Sequence, residues 1–293
     1  MEKKDAKNKY FCSVLFFKHL ILGLLFIILP ISLIFNIMLV FAYHSENSDD
    51  VLNEFIIPPP QLLIQEQTQK NNFKVYQDLY VEKNIVHESK SQTVYLTFDD
   101  GPCANTIKIL DTLKKHQVKA TFFLVGNTIN EDTEYIVRRI VKEGHAIGIH
   151  SETHNYEEVY ASVDSFLDDF YKVASKIKNI IGYYPSIYRF IGGSINNFNM
   201  NTYQDIVTEM NKRGFVYYDW NVSADDAIKG TTTNDIINNV VYDVQKKEYS
   251  IVLFHDTKYK TVEALETIIN QLKDNYEFKV LTSKVAPIQF RKK

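Results

Sequence analysis

A chain of 293 residues with a formal net charge of −3, whose Lys-rich stretch is confined to its start, offers no basic face for nucleic acid. Hydrophobic residues make up 45 % of it, enough for a core of the kind that single domains of roughly 200 residues bury. Its two cysteines, Cys12 and Cys103, fall on opposite sides of a long apolar run, which argues against an intrachain disulfide and leaves no zinc site built from thiolates.

Residues 1–19 carry Lys3, Lys4, Lys7, Lys9 and Lys18, and residues 20–43 carry no charge at all. About 20 apolar residues suffice for a helix to cross the hydrocarbon core. Glu46, Asp49 and Asp50 follow the run, so the positive end is expected in the cytoplasm and the remainder outside, at the cell membrane with a single pass. A cleaved secretory signal is the alternative. Its apolar region spans about 7–15 residues and ends in small residues, a poor match to this run and to Phe41-Ala42-Tyr43. Residues 44–90, with Pro58-Pro59-Pro60 and many polar side chains, read as an extracellular stem.

From residue 91 the pattern becomes short β-rich runs alternating with helical spacing. Strands are expected at 93–98, 120–125, 146–149, 187–190, 215–220, 251–254 and 278–281. Helices are expected at 106–116, 134–143, 163–181, 201–213, 234–245 and 262–273, and Gly144 and Gly214 sit where C-terminal glycine caps belong. The alternation predicts an α/β domain over residues 91–286 built on a parallel sheet, open or closed into a barrel, with 287–293 as a tail. No G-x-G-x-x-G follows the first strand, so a dinucleotide fold lacks its signal.

Polar residues gather at the C-terminal ends of these strands, the edge where α/β folds place their sites. The first ends in Asp99-Asp100-Gly101, two carboxylates that repel one another unless a cation or proton intervenes, or a plain Asp-Gly turn. The third runs into His150-Ser151-Glu152-Thr153-His154; at i and i+4 the imidazoles share one side of a helical turn and can reach one metal, unless the pair is chance among eight histidines. Two His and one carboxylate form a known catalytic zinc set that leaves a position for water. Arg189, Asp225, Asp226 and His255 each have bland readings as surface charge or core histidine. Surface scatter does not predict their conjunction at successive strand ends.

These motifs resemble the polysaccharide deacetylases of carbohydrate esterase family four, with their NodB-type domain. Residues 97–101 match the family's T-F-D-D-G, 150–154 its H-[ST]-x-x-H and 253–255 its L-x-H, over about residues 93–281. The resemblance implies a distorted (β/α) barrel of about seven parallel strands. It also implies that Asp100, His150 and His154 hold a divalent metal, Zn²⁺ first, with Co²⁺ or another ion as alternatives. Such an ion can bring a water's pKa from about 15.7 to about 7. Asp99 is then expected as general base, Arg189 as its partner, His255 as the acid that protonates the departing amine, and Asp226 as the residue orienting His255, with Asp225 as fallback. The third motif departs from the usual R-P-P-Y, reading Arg189-Phe190-Ile191-Gly192, so the backbone donor for the oxyanion falls to Gly192. Ala227 replaces a Trp that often follows the orienting Asp.

The expected activity is N-deacetylation of an extracellular polysaccharide, N-acetylglucosamine of peptidoglycan first, then chitin-like or poly-N-acetylglucosamine polymers. No nucleic-acid or protein partner is expected. A non-catalytic wall-binding barrel would have lost one of Asp99, His150, His154 or His255, and none is lost. A glycosidase would use the Asp pair but leave the histidines without a task.

Overall fold

Val94, Leu96 and Phe98 of β1 (Thr93–Asp99) point to one face, while Tyr95, Thr97 and Asp99 point to the other. Both faces are buried, as a parallel strand covered on each side requires. In the computed structural model, which describes residues 76–87 and 90–291, β1 is an interior strand of the sheet. The expected anchor at 20–43, the segment before it, residues 44–75 of the expected stem and Cys12 lie outside the described residues.

The chain continues through α1 (Ala104–His116), β2 (Thr121–Val125), α2 (Glu134–Lys142), β3 (Ala146–Ser151), the short α3 (Tyr156–Val159) and α4 (Val163–Ile181). Then come β4 (Ile187–Tyr188), α5 (Tyr203–Lys212), β5 (Val216–Tyr217), β6 (Val222–Ser223), α6 (Thr233–Val244), β7 (Tyr249–His255), α7 (Tyr259–Leu272) and β8 (Glu277–Phe278). The longest helix, α4, shows why these segments fold as they do. Ser162 accepts from the Ser165 N–H at its start, and Gly182 (φ 90°) ends it. Phe166, Leu167, Phe170, Val173, Ala174 and Ile177 recur at helical spacing and bury against the sheet, each large side chain contributing roughly 1.5–3 kcal/mol.

All ladders are parallel, in the order β5-β4-β3-β2-β1-β7-β6 with β8 beside β1. Seven of these strands lie where the sequence places them; β6 is not among the expected strands. The sheet curls into a half-barrel and does not close by hydrogen bonds, because β5 and β6 share no ladder among the described residues. The chain itself crosses that gap. Tyr218 N–H still bonds to Tyr188 O (2.9 Å), and three residues later Asn221 N–H bonds to Ile251 O (3.1 Å). Residues 288–290, expected in a tail, dock on the crossing: Asp219 N–H donates to Ile288 O and Phe290 N–H to the Asp219 carboxylate, each at 2.8 Å.

Residues 76–87, expected in the stem, lie against the domain. Leu79 is fully buried, Tyr76 stacks on Tyr171 at 4.1 Å, and Val81 N–H reaches Arg213 O at 2.9 Å. Among the described residues no helix is long and apolar enough to cross a membrane.

Candidate active site

The alternation that packs the core also builds the site. On β1 the inward series Tyr95, Thr97, Asp99 ends in a carboxylate at the C-terminal rim; on β7 the series Ile251, Leu253, His255 ends in an imidazole in register with Asp99. β3 contributes His150 to the same rim, and the residue after β4 contributes Arg189.

Arg189 is wholly buried (0 % exposed) and Asp99 nearly so (3 %). The guanidinium Nη1 donates to Asp99 Oδ1 and to Thr97 Oγ1, both at 2.8 Å; Nε donates to Tyr218 O (2.9 Å) and Nη2 to Asp219 O (3.3 Å). Its underside lies 4.2 Å from the Phe123 ring centre. Two carbonyls, a hydroxyl and a carboxylate therefore fix the cation, and the cation fixes the carboxylate.

Asp100 turns away from the strand with φ 79°, into the left-handed region. Its Oδ1 lies 3.2 Å from His154 Nε2 and 3.6 Å from His150 Nε2, and the three ligand atoms fall within 4.8 Å of one another. Ligand atoms around a tetrahedral Zn²⁺ at about 2.1 Å stand about 3.4 Å apart, and the two distances from Asp100 Oδ1 bracket that spacing. Asp100 Oδ1 is also buried without a hydrogen bond, an orphaned acceptor of the kind a cation satisfies. His150 Nδ1 bonds to Arg189 O at 2.8 Å, which leaves Nε2 to face Asp100.

Burial alone would raise the Asp100 pKa, but His154 and the neighbouring His150 and His255 bring it down to about 2. Contact with Asp100 raises the His154 pKa. Complete burial lowers that of His150.

The two histidines are not on a helical turn. His150 lies within β3, and His154 (φ 56°) follows the two loop residues after that strand. What folds that loop is Asp169 of α4, a residue that no sequence motif singles out. Its carboxylate accepts from Ser151 Oγ (2.8 Å), Glu152 N (2.8 Å) and Thr153 N (3.0 Å), and Ser151 Oγ in turn accepts from His154 N (2.9 Å). An Asp inside the apolar stripe of a helix, between Phe166 and Phe170, is its one signal.

Across the rim, His255 Nδ1 bonds to Asp226 Oδ1 and His255 N–H to Asp226 Oδ2, both at 2.7 Å; Thr261 Oγ1 donates to Oδ2 at 2.5 Å. Asp226 is thus the residue that touches His255. Asp225 instead accepts from Ser223 Oγ at 2.6 Å. Burial would lower the His255 pKa, but the bond to Asp226 and the charges of Asp99, Asp226 and Asp100 outweigh it and raise the value to about 9.

Asp256 is a second residue that the sequence does not single out. It is fully buried, accepts from Thr106 Oγ1, and has its pKa pushed up to about 7 by burial. A Cβ on Gly101 would stand 2.1 Å from its Oδ2, so only glycine fits beside Asp100. Gly192 (φ 71°) lies on the loop after Arg189 with the Tyr156 ring against it.

A family model described as polysaccharide deacetylase matches residues 87–211. A peptidoglycan-N-acetylglucosamine deacetylase of Bacillus cereus is 34 % identical over 193 residues, 64 % of this chain and 68 % of its own. The solved catalytic domain of a peptidoglycan N-acetylglucosamine deacetylase from Eubacterium rectale superposes with a TM-score of 0.68 at 37 % identity, covering 71 % of this chain and 97 % of that one. A family 4 acetyl xylan esterase from Clostridium thermocellum, solved in complex with a cobalt ion, gives a TM-score of 0.55 at 32 % identity over 64 % of this chain and 87 % of its own.

Proposed function

The chain belongs to the polysaccharide deacetylase family and is a hydrolase of amide bonds, and from that premise we propose that it removes acetyl groups from N-acetylglucosamine of peptidoglycan with a divalent cation at Asp100, His150 and His154. The observation that carries this reading is the orphaned Asp100 carboxylate facing two imidazoles beside an Arg-paired Asp99. When bound, a cation there supplies Lewis acidity to a water and to the acetyl carbonyl. The cobalt-bound relative supports a divalent ion at such a site, and Zn²⁺ suits two imidazoles and a carboxylate.

In the proposed reaction Asp99, held in place by the Arg189 guanidinium, takes a proton from the attacking water. The Gly192 N–H is assigned to the oxygen on which charge develops, a donor of the kind worth about 10²–10³ in rate. His255, protonated below about pH 9, gives its proton to the nitrogen as the C–N bond breaks. Asp226 holds the imidazole in that orientation. Water and amide become acetate and an amine, with one proton taken and one returned.

The uncharged run 20–43 behind a Lys-rich start supports an anchor, and with it a catalytic domain held outside the cell membrane against the wall. The test is acetate release by the full-length protein from peptidoglycan, chitin oligomers and poly-N-acetylglucosamine. Peptidoglycan is expected to be the preferred polymer, and Asp99→Asn and His255→Ala should abolish release while the protein stays folded. Full activity in either variant refutes the roles of base and acid assigned to these two residues.

A further inference from the structure

One side of the metal-ligand cluster carries aromatic side chains that the reaction does not use. The Tyr156 ring stands edge-on to His154, with centres 5.8 Å apart and planes at 89°. The Phe198 ring centre lies 5.2 Å from that of Tyr156, and Phe198 is 49 % exposed. Tyr156 itself is half-buried, and its hydroxyl makes no hydrogen bond to any described residue.

The chain makes room for this arrangement at a distance in sequence. A Cβ on Gly192 would stand 2.7 Å from Tyr156 Cε1 and 2.8 Å from its hydroxyl, so only glycine lets the ring lie against that loop. The loop is also held rigid. Tyr160 Oη donates to Ile191 O (3.0 Å), Asn196 Nδ2 donates to Gly193 O (2.9 Å), and Asn196 Oδ1 accepts from the Phe198 and Asn199 N–H groups at 3.0 Å. Phe198 is therefore an apolar ring presented to solvent by a braced turn.

A pyranose ring offers one apolar C–H face and a rim of hydroxyl and acetamido groups. An exposed aromatic face next to an unpartnered phenol donor complements both, and it begins where the cation ligands end. We propose that Tyr156 and Phe198 form a sugar subsite that grips the residue of the polymer next to the one being deacetylated, Phe198 through its face and Tyr156 through its hydroxyl. The assignment rests on the chain acting as a polysaccharide deacetylase.

The test is calorimetric titration of the tetramer of N-acetylglucosamine, and separately of the monosaccharide, into the full-length, zinc-loaded protein carrying Asp99→Asn so that the ligand survives. In that background Phe198→Ala should weaken tetramer binding by about five- to tenfold, the effect of truncating an aromatic anchor. Tyr156→Phe should weaken it by about two- to tenfold, the effect of one lost neutral hydrogen bond. The monosaccharide should be affected less than the tetramer by Phe198→Ala. Tyr242→Ala, which removes an aromatic side chain 61 % exposed on α6, serves as the control and should bind as its parent does. Tetramer binding within twofold of the parent in both variants overturns the subsite. If the parent neither binds the tetramer nor, with Asp99 restored, releases acetate from any N-acetylglucosamine polymer, the substrate reading itself fails and the subsite falls with it.

Discussion

Replacing Arg189 by Met tests whether the buried pair, rather than the surrounding packing, holds Asp99 in place. Met keeps most of the volume and removes the fork that contacts Asp99, Thr97, Tyr218 and Asp219. Asp99 would then be a carboxylate only 3 % exposed that has lost the guanidinium hydrogen-bonded to it. Removing one partner of such a pair costs about 3–5 kcal/mol, because the other charge stays buried and unpaired. For a domain of this size each kcal/mol moves the melting temperature by about 2–4 °C, so Arg189→Met should melt roughly 6–20 °C lower at pH 7. Adding Asp99→Asn to Arg189→Met should restore part of that loss, since the uncompensated charge disappears, giving a coupling above about 1 kcal/mol in the double-mutant cycle. Calorimetry reads the stability, and acetate release, expected to fall by at least about 10², reads the base. A single variant that melts within about 2 °C of the parent, less than 1 kcal/mol warrants, or a cycle with no coupling, refutes the reasoning.

Removing divalent ions with a chelator should stop acetate release and lower the melting temperature, and restoring Zn²⁺ at about 100 times its dissociation constant should return about 2.7 kcal/mol; His150→Ala should show no such metal-dependent gain. The His255 pKa in the folded chain, about 9, lies above its ordinary 6.5, so its contribution is complete below pH 6.5 and is lost as pH rises through 9. The shift corresponds to about 3 kcal/mol, and chelated protein unfolded by urea at about pH 6 and about pH 10 should show that fall. Asp226→Asn should flatten it, and an unchanged slope counts against the pair. Starting the chain at residue 91 should cost stability that starting it at residue 73 does not, since Leu79 is fully buried and a side chain of its kind contributes roughly 1.5–3 kcal/mol; equal melting temperatures would show that residues 76–87 rest on the domain without supporting it.

The sequence reveals those parts of the site that lie at the ends of short apolar, β-rich runs. Asp99, His150 and His255 each stand at or beside the polar end of such a run, so residue and position are read together. The rim geometry is harder to read. His154 reaches the cluster through a loop bent by Asp169, a contact between two elements that no local pattern records. Choosing Asp226 over Asp225 needed the positive φ of Asp225 (56°), which turns adjacent carboxylates to different partners. Tyr156 falls on a helix of four residues, too short for helical spacing to mark. The open edge between β5 and β6 is invisible for the same reason: two-residue strands leave no alternation from which closure could be judged.

The strand faces that build the core also transmit position to the chemistry, and Gly148 shows the path. A Cβ at Gly148 would stand 2.4 Å from Cδ1 and Cε1 of Phe123, deep inside the half-barrel, where neither backbone can yield. Phe123 carries the Arg189 guanidinium 4.2 Å above its ring centre, and Arg189 holds Asp99. Gly148→Ala therefore has to displace the ring, then the cation, then the base, although it touches no residue of the proposed reaction. Overpacking of this kind costs about 1–3 kcal/mol in stability. A displacement of about 1 Å at the base can cost about 10² in rate, so activity should fall much further than the melting temperature suggests. Gly148→Ala combined with Phe123→Leu should recover part of the acetate release by vacating the ring edge. If Gly148→Ala lowers the melting temperature and leaves turnover unchanged, Phe123 is a filler of the barrel and Arg189 is positioned by its carbonyl contacts alone.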